Sequence, residues 1–595
     1  MADAPADTIP HRFFAHGENL PDAPAYWTRE GGAWQPTSWR TYNDQVRLAA
    51  RAMITLGLEA GQSVCILGFN RPSWAIADMA AMAAGGVPAG IYTTCSPEEV
   101  AYIIDHSESS IVFLEDAGQW EKVDAERKNL PKLRHVVLFE GAPAIDDPLV
   151  MTWEAFLAKA EETPAETVDE RMAALALDAV ATLIYTSGTT GPPKAVMLSH
   201  ENLAWTASKA APLVDASSED SSLSYLPLSH IAEQMFSLHV PASVGSQIYF
   251  AEDFTKVADN LKEVRPTILF GVPRVWEKFY AGVNAKLAEL TGIKKVLFGW
   301  ARGVGSQVTA ARNAGRKPSG LLELQYGVAR RLIYGPFKQA LGLDRARICV
   351  SGAAPIAGEI LEFFGELDLI IYEVYGQSED TGPTSFNRPG QTRFGTVGPP
   401  FPGVEIKIAD DGEILVRGPN VFLGYMKDEA STKESLIDGW LHSGDLGAFD
   451  QDGFLTITGR KKDIIITAGG KNIAPKNIEA ALKNLPLVSQ AVVIGDRRKY
   501  LTALLTLDPE AAAKVAPEAD EAARVEHPAL LEELGRGVDE VNKLFARVEN
   551  VRKFKILPGD FSVEGGELTP TMKVKRRVVD EKYGEIIESM YAEDR

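Results

Sequence analysis

The sequence predicts an α/β fold, with one large part of helix-covered β-sheets and small antiparallel strands, followed by a small α+β part. Three observations carry this. Short, nearly continuous apolar runs alternate with helical patterns through the first three quarters of the 595 residues, as expected of parallel strands buried on both faces. Near Gly403 the texture changes to short strands joined by tight turns. Beyond Gly459 and Arg460 a tail of about one domain length carries its own strand and helix signals.

The strand candidates come in order. "SVCILGF" (63–69), "SSIVFLED" (109–116), "HVVLFEG" (135–141) and "SQIYFAED" (246–253) are short apolar runs bounded by turn formers, as are "PTILFGVP" and "RARICVSG". Between them, "WRTYNDQVRLAARAMITLGL" places apolar residues at helical spacing. "GVEIKIADDGEILVRG" sets Asp-Asp-Gly between two short strands and predicts a hairpin. "GFLTITGR" and "DIIITAGG" continue the strand pattern. In the tail, "VSQAVVIGD" and "LTALLTLD" read as strands, and "PKNIEAALKNL" as a helix with Pro475 in its first turn. "LLEELGRGVDEVNKLFARVENVRKF" reads as one long amphipathic helix.

Composition excludes several function classes. A formal net charge of -20 argues against a nucleic-acid partner and against a polybasic membrane anchor. Cys65, Cys95 and Cys349 are far apart, with no CxxC and no His/Cys cluster. Neither a disulfide framework nor a structural zinc site is expected, and the compartment is expected to be reducing and cytoplasmic. The start "MADAPADTIPHRFF" has no secretory pattern. The most apolar long run, "SWAIADMAAMAAGGVPAGIY", is interrupted by Asp78, Gly-Gly and Pro88 and predicts helix, turn and strand, not a membrane span.

The segment "YTSGTTGPPK" (185–194) follows a strand and offers hydroxyls, backbone N–H groups and one lysine, which suits phosphate oxygens. It is not the GxxxxGK[ST] loop, because Lys194 follows Pro-Pro and precedes Ala195. It resembles the phosphate-binding signature of the AMP-forming adenylate ligases, a superfamily of acyl-CoA synthetases, peptide-synthetase adenylation domains and luciferase. Further motifs of that family follow in order over nearly the whole chain: "SGAAP", "YEVYGQSED", "HSGDLG", "TGRKKDIIITAGGKNIAP" and "ELTPTMKVKRR".

The resemblance implies two half-reactions. A carboxylate attacks the α-phosphate of ATP, and a thiol, usually of coenzyme A, then displaces AMP. It implies that Ser187, Gly188, Thr189, Thr190 and Lys194 hold phosphates, and that Thr186 and Glu379 hold a magnesium ion, which favours few protein oxygens beside phosphate oxygens. Gly352, Ala353 and Ala354 would approach the adenine, with Tyr375 offering an aromatic face and Gly376, Gln377 and Ser378 completing the nucleotide site. Asp445 and Arg460 would reach the ribose. Lys573 would be the catalytic lysine, although Met572 stands where the family commonly has glycine. The domains would be residues 1–459 and a mobile 464–595, joined by a hinge at 460–463 centred on Lys462. In a rotated state Gly469 and Gly470 would line the coenzyme A tunnel.

For the acid, His230 in "YLPLSHIAEQ" matches the histidine bordering the acyl and ATP sites, beside Glu379 and Lys573 in the catalytic set. No aspartate lies in "HIAEQMFSLHVPASVG" to pair a substrate ammonium. Gly376 stands where acetyl-activating relatives have a tryptophan, which implies an open pocket. "GVPRVWEKFY" and "GIYTTCSPEEV" resemble long-chain members, including the bubblegum type. Trp276 is a candidate for the acyl tunnel wall, but its size and burial tendency favour a packed core tryptophan. The implied function is a long-chain fatty-acid–CoA ligase; the alternative is a fatty acyl-AMP ligase that loads a carrier protein. A fatty substrate also implies transient contact with a membrane surface. A non-catalytic sensor is disfavoured, because Thr186, Glu379, Asp445, Arg460 and Lys573 all stand.

Overall fold

The computed structural model describes residues 7–186 and 192–592. Its largest sheet has eight strands, in the order Gly424–Tyr425, Lys194–Ser199, Val180–Thr186, Val87–Ile91, Ser63–Leu67, Ile111–Leu114, His135–Leu138 and Val150–Met151. The six from Val180–Thr186 onward are parallel, and the first two join antiparallel. Alternate side chains feed two cores. Val64, Ile66, Ile111 and Phe113 enter one, with Trp39, Val46 and Trp74 from covering helices. Cys65, Leu67, Val112 and Leu114 enter the other, with Val100, Ile104 and Trp120. The period of two in each strand therefore explains why these runs are apolar throughout.

A second sheet orders Ile268–Gly271, Ile348–Ser351, Ile371–Tyr375 and Ser385–Phe386, with its first three strands parallel. A third joins Ser221–Ser224, Gln247–Phe250, Pro24–Glu30 and Ala33–Ser38. The hairpin expected around Asp410, Asp411 and Gly412 is present between Glu405–Ile408 and Glu413–Arg417, with Gly412 at a φ of 87°. It belongs to a five-stranded antiparallel sheet that includes Trp440–Phe449 and Leu455–Arg460. The apolar run around Asp78 forms helix Pro72–Ala83, a turn, and strand Val87–Ile91. No helix among the described residues is long and apolar enough to cross a membrane.

The C-terminal part has cores of its own. Strands Val488–Ile494, Leu501–Leu507 and Val551–Ile556 form its sheet. Helices Pro475–Lys483 and Pro528–Asn542 cover one face, and Leu557, Phe561, Val579 and Ile587 pack on the other. One expectation is corrected here. The long helix read through "LLEELGRGVDEVNKLFARVENVRKF" stops at Asn542, and Val551–Ile556 is a strand parallel to Leu501–Leu507. The Asn542 side chain donates to the Val551 carbonyl at 2.9 Å and accepts from its N–H at 2.8 Å. That amide fixes the start of the strand, and tertiary pairing overrides helical spacing.

Candidate active site

The site residues gather where strands end. Val180–Thr186 and Lys194–Ser199 pair in a register that places Thr186 opposite Lys194, and the Thr186 hydroxyl meets the Lys194 carbonyl at 3.4 Å. Ser187, Gly188, Thr189 and Thr190 lie outside the described residues. The Lys194 ammonium stands 5.0 Å from the Tyr425 ring centre and 3.6 Å from an Asp428 carboxylate oxygen, and it donates to Ser431. Tyr425 in turn donates its hydroxyl to Glu379 at 2.8 Å. Burial and the Glu379 charge hold the Tyr425 hydroxyl well above its ordinary pKa, so it stays a donor. Thr186, Lys194, Tyr425 and Glu379 are thus one linked set. Local pattern does not reveal Tyr425, because its strand has only two residues.

After strand Ile348–Ser351 comes the "SGAAP" turn. A Cβ on Gly352 would lie 2.7 Å from a Val374 methyl, so the backbone passes too close for any side chain. Ala353 takes a φ of 69°, and both Ala353 and Ala354 are exposed. Small residues here present bare backbone to the cleft.

Strand Ile371–Tyr375 delivers Tyr375, whose hydroxyl donates to Asp445 Oδ2 at 2.9 Å. Gln377 donates to the same oxygen at 2.7 Å and to the Ser443 carbonyl at 2.9 Å. Asp445 pairs with Arg460 across adjacent strands, and Asp445 Oδ1 is 3.6 Å from Arg460 Nε. One carboxylate oxygen is thus fixed by neutral donors while the other faces the arginine. Ser378 is buried at the start of the turn. Beneath it, Asp380 accepts from the Gln377 N–H at 2.6 Å and from the Thr384 hydroxyl. Burial pushes the Asp380 carboxyl up to about 8.

Two acyl-pocket candidates sit against packed protein. A Cβ on Gly376 would lie 1.4 Å from the Gly382 carbonyl oxygen, so a side chain there would run into backbone. Trp276 is fully buried, its indole N–H bonded to the Gly271 carbonyl at 3.1 Å and its rings edge-on to Phe279 and Phe364. It is core. His230 is half-buried and feels the charge of Lys573. Gly90 lets its strand come close to the preceding residue, since a Cβ there would meet Ser229 Cα at 2.7 Å. His230 Nδ1 accepts from the Ala232 N–H at 3.1 Å, which leaves the proton of the neutral ring on Nε2. Burial first, and Lys573 second, push the ring down to about 4.

Lys573 arrives from the C-terminal part on a tight turn. Leu568 and Val574 bridge its base, the Thr569 N–H donates to the Lys573 carbonyl at 2.8 Å, and the Lys573 N–H donates to the Thr569 hydroxyl at 3.0 Å. Met572 at its tip has a φ of 61°. The Thr94 hydroxyl donates to the Pro570 carbonyl at 2.8 Å and ties this turn to the large part. Thr94 is itself held just ahead of helix Pro97–His106, which starts on a reciprocal Ser96–Glu99 capping box with proline in its first turn. The Lys573 side chain is accessible from the cleft but walled by protein. Desolvation first, then Arg460 and Lys476, lower its pKa, against Asp445 and Glu379, which raise it. His230, Glu379, Asp445, Arg460 and Lys573 therefore share one electrostatic neighbourhood.

Lys462 is exposed in the turn Lys461–Asp463, between neighbours that are engaged: Lys461 with Asp411 and Glu413, Asp463 with Lys476. Gly469 and Gly470 sit in an exposed turn closed by the Gly470 N–H on the Thr467 carbonyl. The described residues hold no cluster of three acidic, histidine or cysteine ligands. The donor set of one hydroxyl and one carboxylate fits a magnesium ion that takes most of its oxygens from phosphates.

Comparison with known proteins places the chain in a family. Residues 13–426 match the AMP-binding enzyme family, and residues 462–595 match the AMP-binding enzyme C-terminal domain. The long-chain-fatty-acid–CoA ligase ACSBG2 of Xenopus laevis is 40% identical over 99% of this chain and 84% of its own length. The long-chain-fatty-acid–CoA ligase FadD15 of Mycobacterium bovis is 39% identical over 98% of this chain and 97% of its own. Among solved structures, the adenylation domain of a carboxylate reductase from Mycobacterium chelonae superposes with a TM-score of 0.79 at 23% identity, covering 99% of this chain and 92% of that one. The corresponding domain from Segniliparus rugosus, in complex with AMP and a co-purified carboxylic acid, gives 0.74 at 21%, covering 99% and 94%. By motif order, fold and full-length similarity, the chain belongs to the AMP-binding enzyme family.

Proposed function

We propose that the chain is an AMP-forming ligase that joins a long-chain fatty acid to coenzyme A. The adenylation reading is supported by the Thr94–Pro570 hydrogen bond, which ties the turn carrying Lys573 to the large part, and by the charge coupling of Lys573 with His230, Asp445 and Glu379. The acid and the thiol are taken from the curated relatives, which are long-chain-fatty-acid–CoA ligases over nearly the whole chain.

In the first half-reaction a carboxylate oxygen of the fatty acid attacks the α-phosphorus of ATP. The bond to pyrophosphate breaks and acyl-AMP forms. Lys573 places its ammonium between the carboxylate and the α-phosphate, where charge shifts during attack; such stabilisation is worth about 3–4 kcal/mol. Its pKa is already lowered by burial and neighbouring cations, so the negative charges of the substrates restore its preference for the charged form. Neutral His230 offers Nε2–H as a donor at the acyl side. Asp445 keeps Oδ1 for the ribose hydroxyls, because Tyr375 and Gln377 occupy Oδ2. Thr186 and Glu379 would hold magnesium, which when bound neutralises phosphate oxygens. In the second half-reaction the thiolate sulfur of coenzyme A attacks the acyl carbon and AMP leaves. We assign residues 460–463 as the hinge for the intervening rotation of 464–595, with Gly469 and Gly470 then lining the pantetheine path.

The test is a panel of acids from acetate to very long chains, read by pyrophosphate release and by acyl-CoA formation. Long acids should give both products. Acyl-AMP accepted only by a carrier protein would replace the coenzyme A reading with carrier loading. Lys573→Ala should slow acyl-AMP formation by about 100–1,000-fold and spare thioester formation from supplied acyl-AMP. Equal loss of both steps would contradict its role.

A further inference from the structure

Helices Gly292–Asn313 and Gly320–Ala329 form a hairpin with two unlike sides. Its inner side is core. Val304 and Val308 are buried, Thr309 donates to the Gly365 carbonyl at 2.8 Å, and a Cβ on Gly305 would lie 1.9 Å from the Glu366 carbonyl oxygen. Its outer side is the reverse. Leu321, Leu324, Val328 and Leu332 follow helical spacing and are 45–70% exposed. Ile293 and Val296, in the first turn of the other helix, are more than 70% exposed. Gly320 and Gly327 leave a shallow groove among the leucines. An exposed apolar row gathered around one groove marks an interaction site.

Charge says which kind. Residues 291–341 contain nine lysines and arginines and one acid, Glu323, in a chain whose net charge is -20. Three of the nine turn inward: Arg302 pairs with Glu366, and Arg312 and Lys338 pair with Asp368. The other six, Lys294, Lys295, Arg316, Lys317, Arg330 and Arg331, are exposed and have no ion-pair partner among the described residues. Aliphatic residues on one helix face, with Arg331 lining the same groove and further unpaired cations on the same hairpin, suit the headgroup boundary of an anionic bilayer. The acidic remainder of the chain would be repelled from such a surface, which orients the approach. A second copy is disfavoured, because two such faces would bring their unpaired cations together.

We propose that the outer face of this hairpin docks on anionic lipid bilayers, with the leucines at the acyl boundary and the six cations on headgroup phosphates and carboxylates. This goes beyond the ligase reading and does not depend on it, since binding is measured without turnover. The test is flotation of the full chain with vesicles of phosphatidylcholine alone and of equal parts phosphatidylcholine and phosphatidylserine, at low and high salt. Binding should favour the phosphatidylserine vesicles and weaken with salt. Leu324→Glu with Leu332→Glu, and separately Arg330→Glu with Arg331→Glu, should each lower the bound fraction about tenfold, with thermal midpoint and turnover of a dissolved acid unchanged. Leu544→Glu, at an exposed leucine of the C-terminal part, should bind as the wild type. If the leucine variants lose thermal stability, the arginine pair decides, because it alters only exposed head groups. No binding, equal binding to both vesicles, or variants that bind normally would overturn the proposal. So would a vesicle-free dimer that these variants dissociate, which would assign the face to a second copy.

Discussion

The hydroxyl of Thr94 donates to the carbonyl of Pro570 at 2.8 Å, joining positions 476 residues apart. It is a direct bond between the large part and the turn that carries Lys573. A neutral hydrogen bond of this kind contributes about 0.5–1.5 kcal/mol. Thr94→Val keeps the shape and removes the donor. It should slow acyl-AMP formation by about two- to tenfold and leave thioester formation from supplied acyl-AMP near wild type. Equal slowing of both half-reactions would detach this bond from the adenylating arrangement.

Met572 pays for its place beside Lys573 in backbone strain, with a φ of 61°. The left-handed region costs a non-glycine residue about 1–2 kcal/mol. Met572→Gly relieves that cost but adds unfolded-state freedom worth about 0.5–1 kcal/mol, so stability should change little and adenylation should persist. Met572→Val should lower both, because a β-branched side chain tolerates this φ poorly. Burst-phase pyrophosphate release and thermal melting distinguish the two; wild-type behaviour of the valine variant would argue against strain at this turn.

Trp276 and Gly376 are packed tightly enough that their replacement should act first on stability. Trp276→Ala should cost about 3–5 kcal/mol, read by chemical denaturation. The milder Trp276→Phe should retain the wild-type ranking of acid chain lengths. A shifted ranking in the phenylalanine variant would return this residue to the acyl wall. Gly376→Ala should fail to reach normal stability, given the contact with the Gly382 carbonyl.

His230 makes acid sensitivity site-specific. Its ring is pushed from the ordinary 6.5 down to about 4 by burial and by Lys573. Between those values the unfolded chain binds more protons here than the folded chain, so stability rises with pH. The contribution is complete above 6.5 and is lost as pH falls toward about 4. His230→Gln should therefore lose less in thermal midpoint than wild type when pH drops from neutral to about 5. An identical drop would place the sensitivity at His200 and His239, which burial lowers to about 4 and about 3.

Much of this was legible in the sequence, for physical reasons. Strands buried on both faces must be apolar throughout, so the runs holding Val64 and Ile111 announce themselves. Asp410, Asp411 and Gly412 demand a turn, and the ordered motifs carry Asp445, Arg460 and Lys573 to one cleft. What stayed hidden depends on direction and distance. Tyr425 sits on a two-residue strand with no period to detect. The use of Gly376 is set by where the chain returns at Gly382. The helix expected through 530–554 ends because the Asn542 amide captures Val551, a contact no local pattern encodes. The net charge of -20 argues against a polybasic membrane anchor, yet it averages over a hairpin whose own balance is strongly positive.

The cleft and the lysine belong to different hydrophobic cores, one set extending through Leu455 and the other beginning at Ile465. Lys573 is therefore an intramolecular reagent, supplied at a local concentration fixed by the backbone between those cores. Lengthening that tether with flexible residues would dilute the ammonium without altering any contact, and the rate of the first half-reaction would fall slowly, as a low power of tether length.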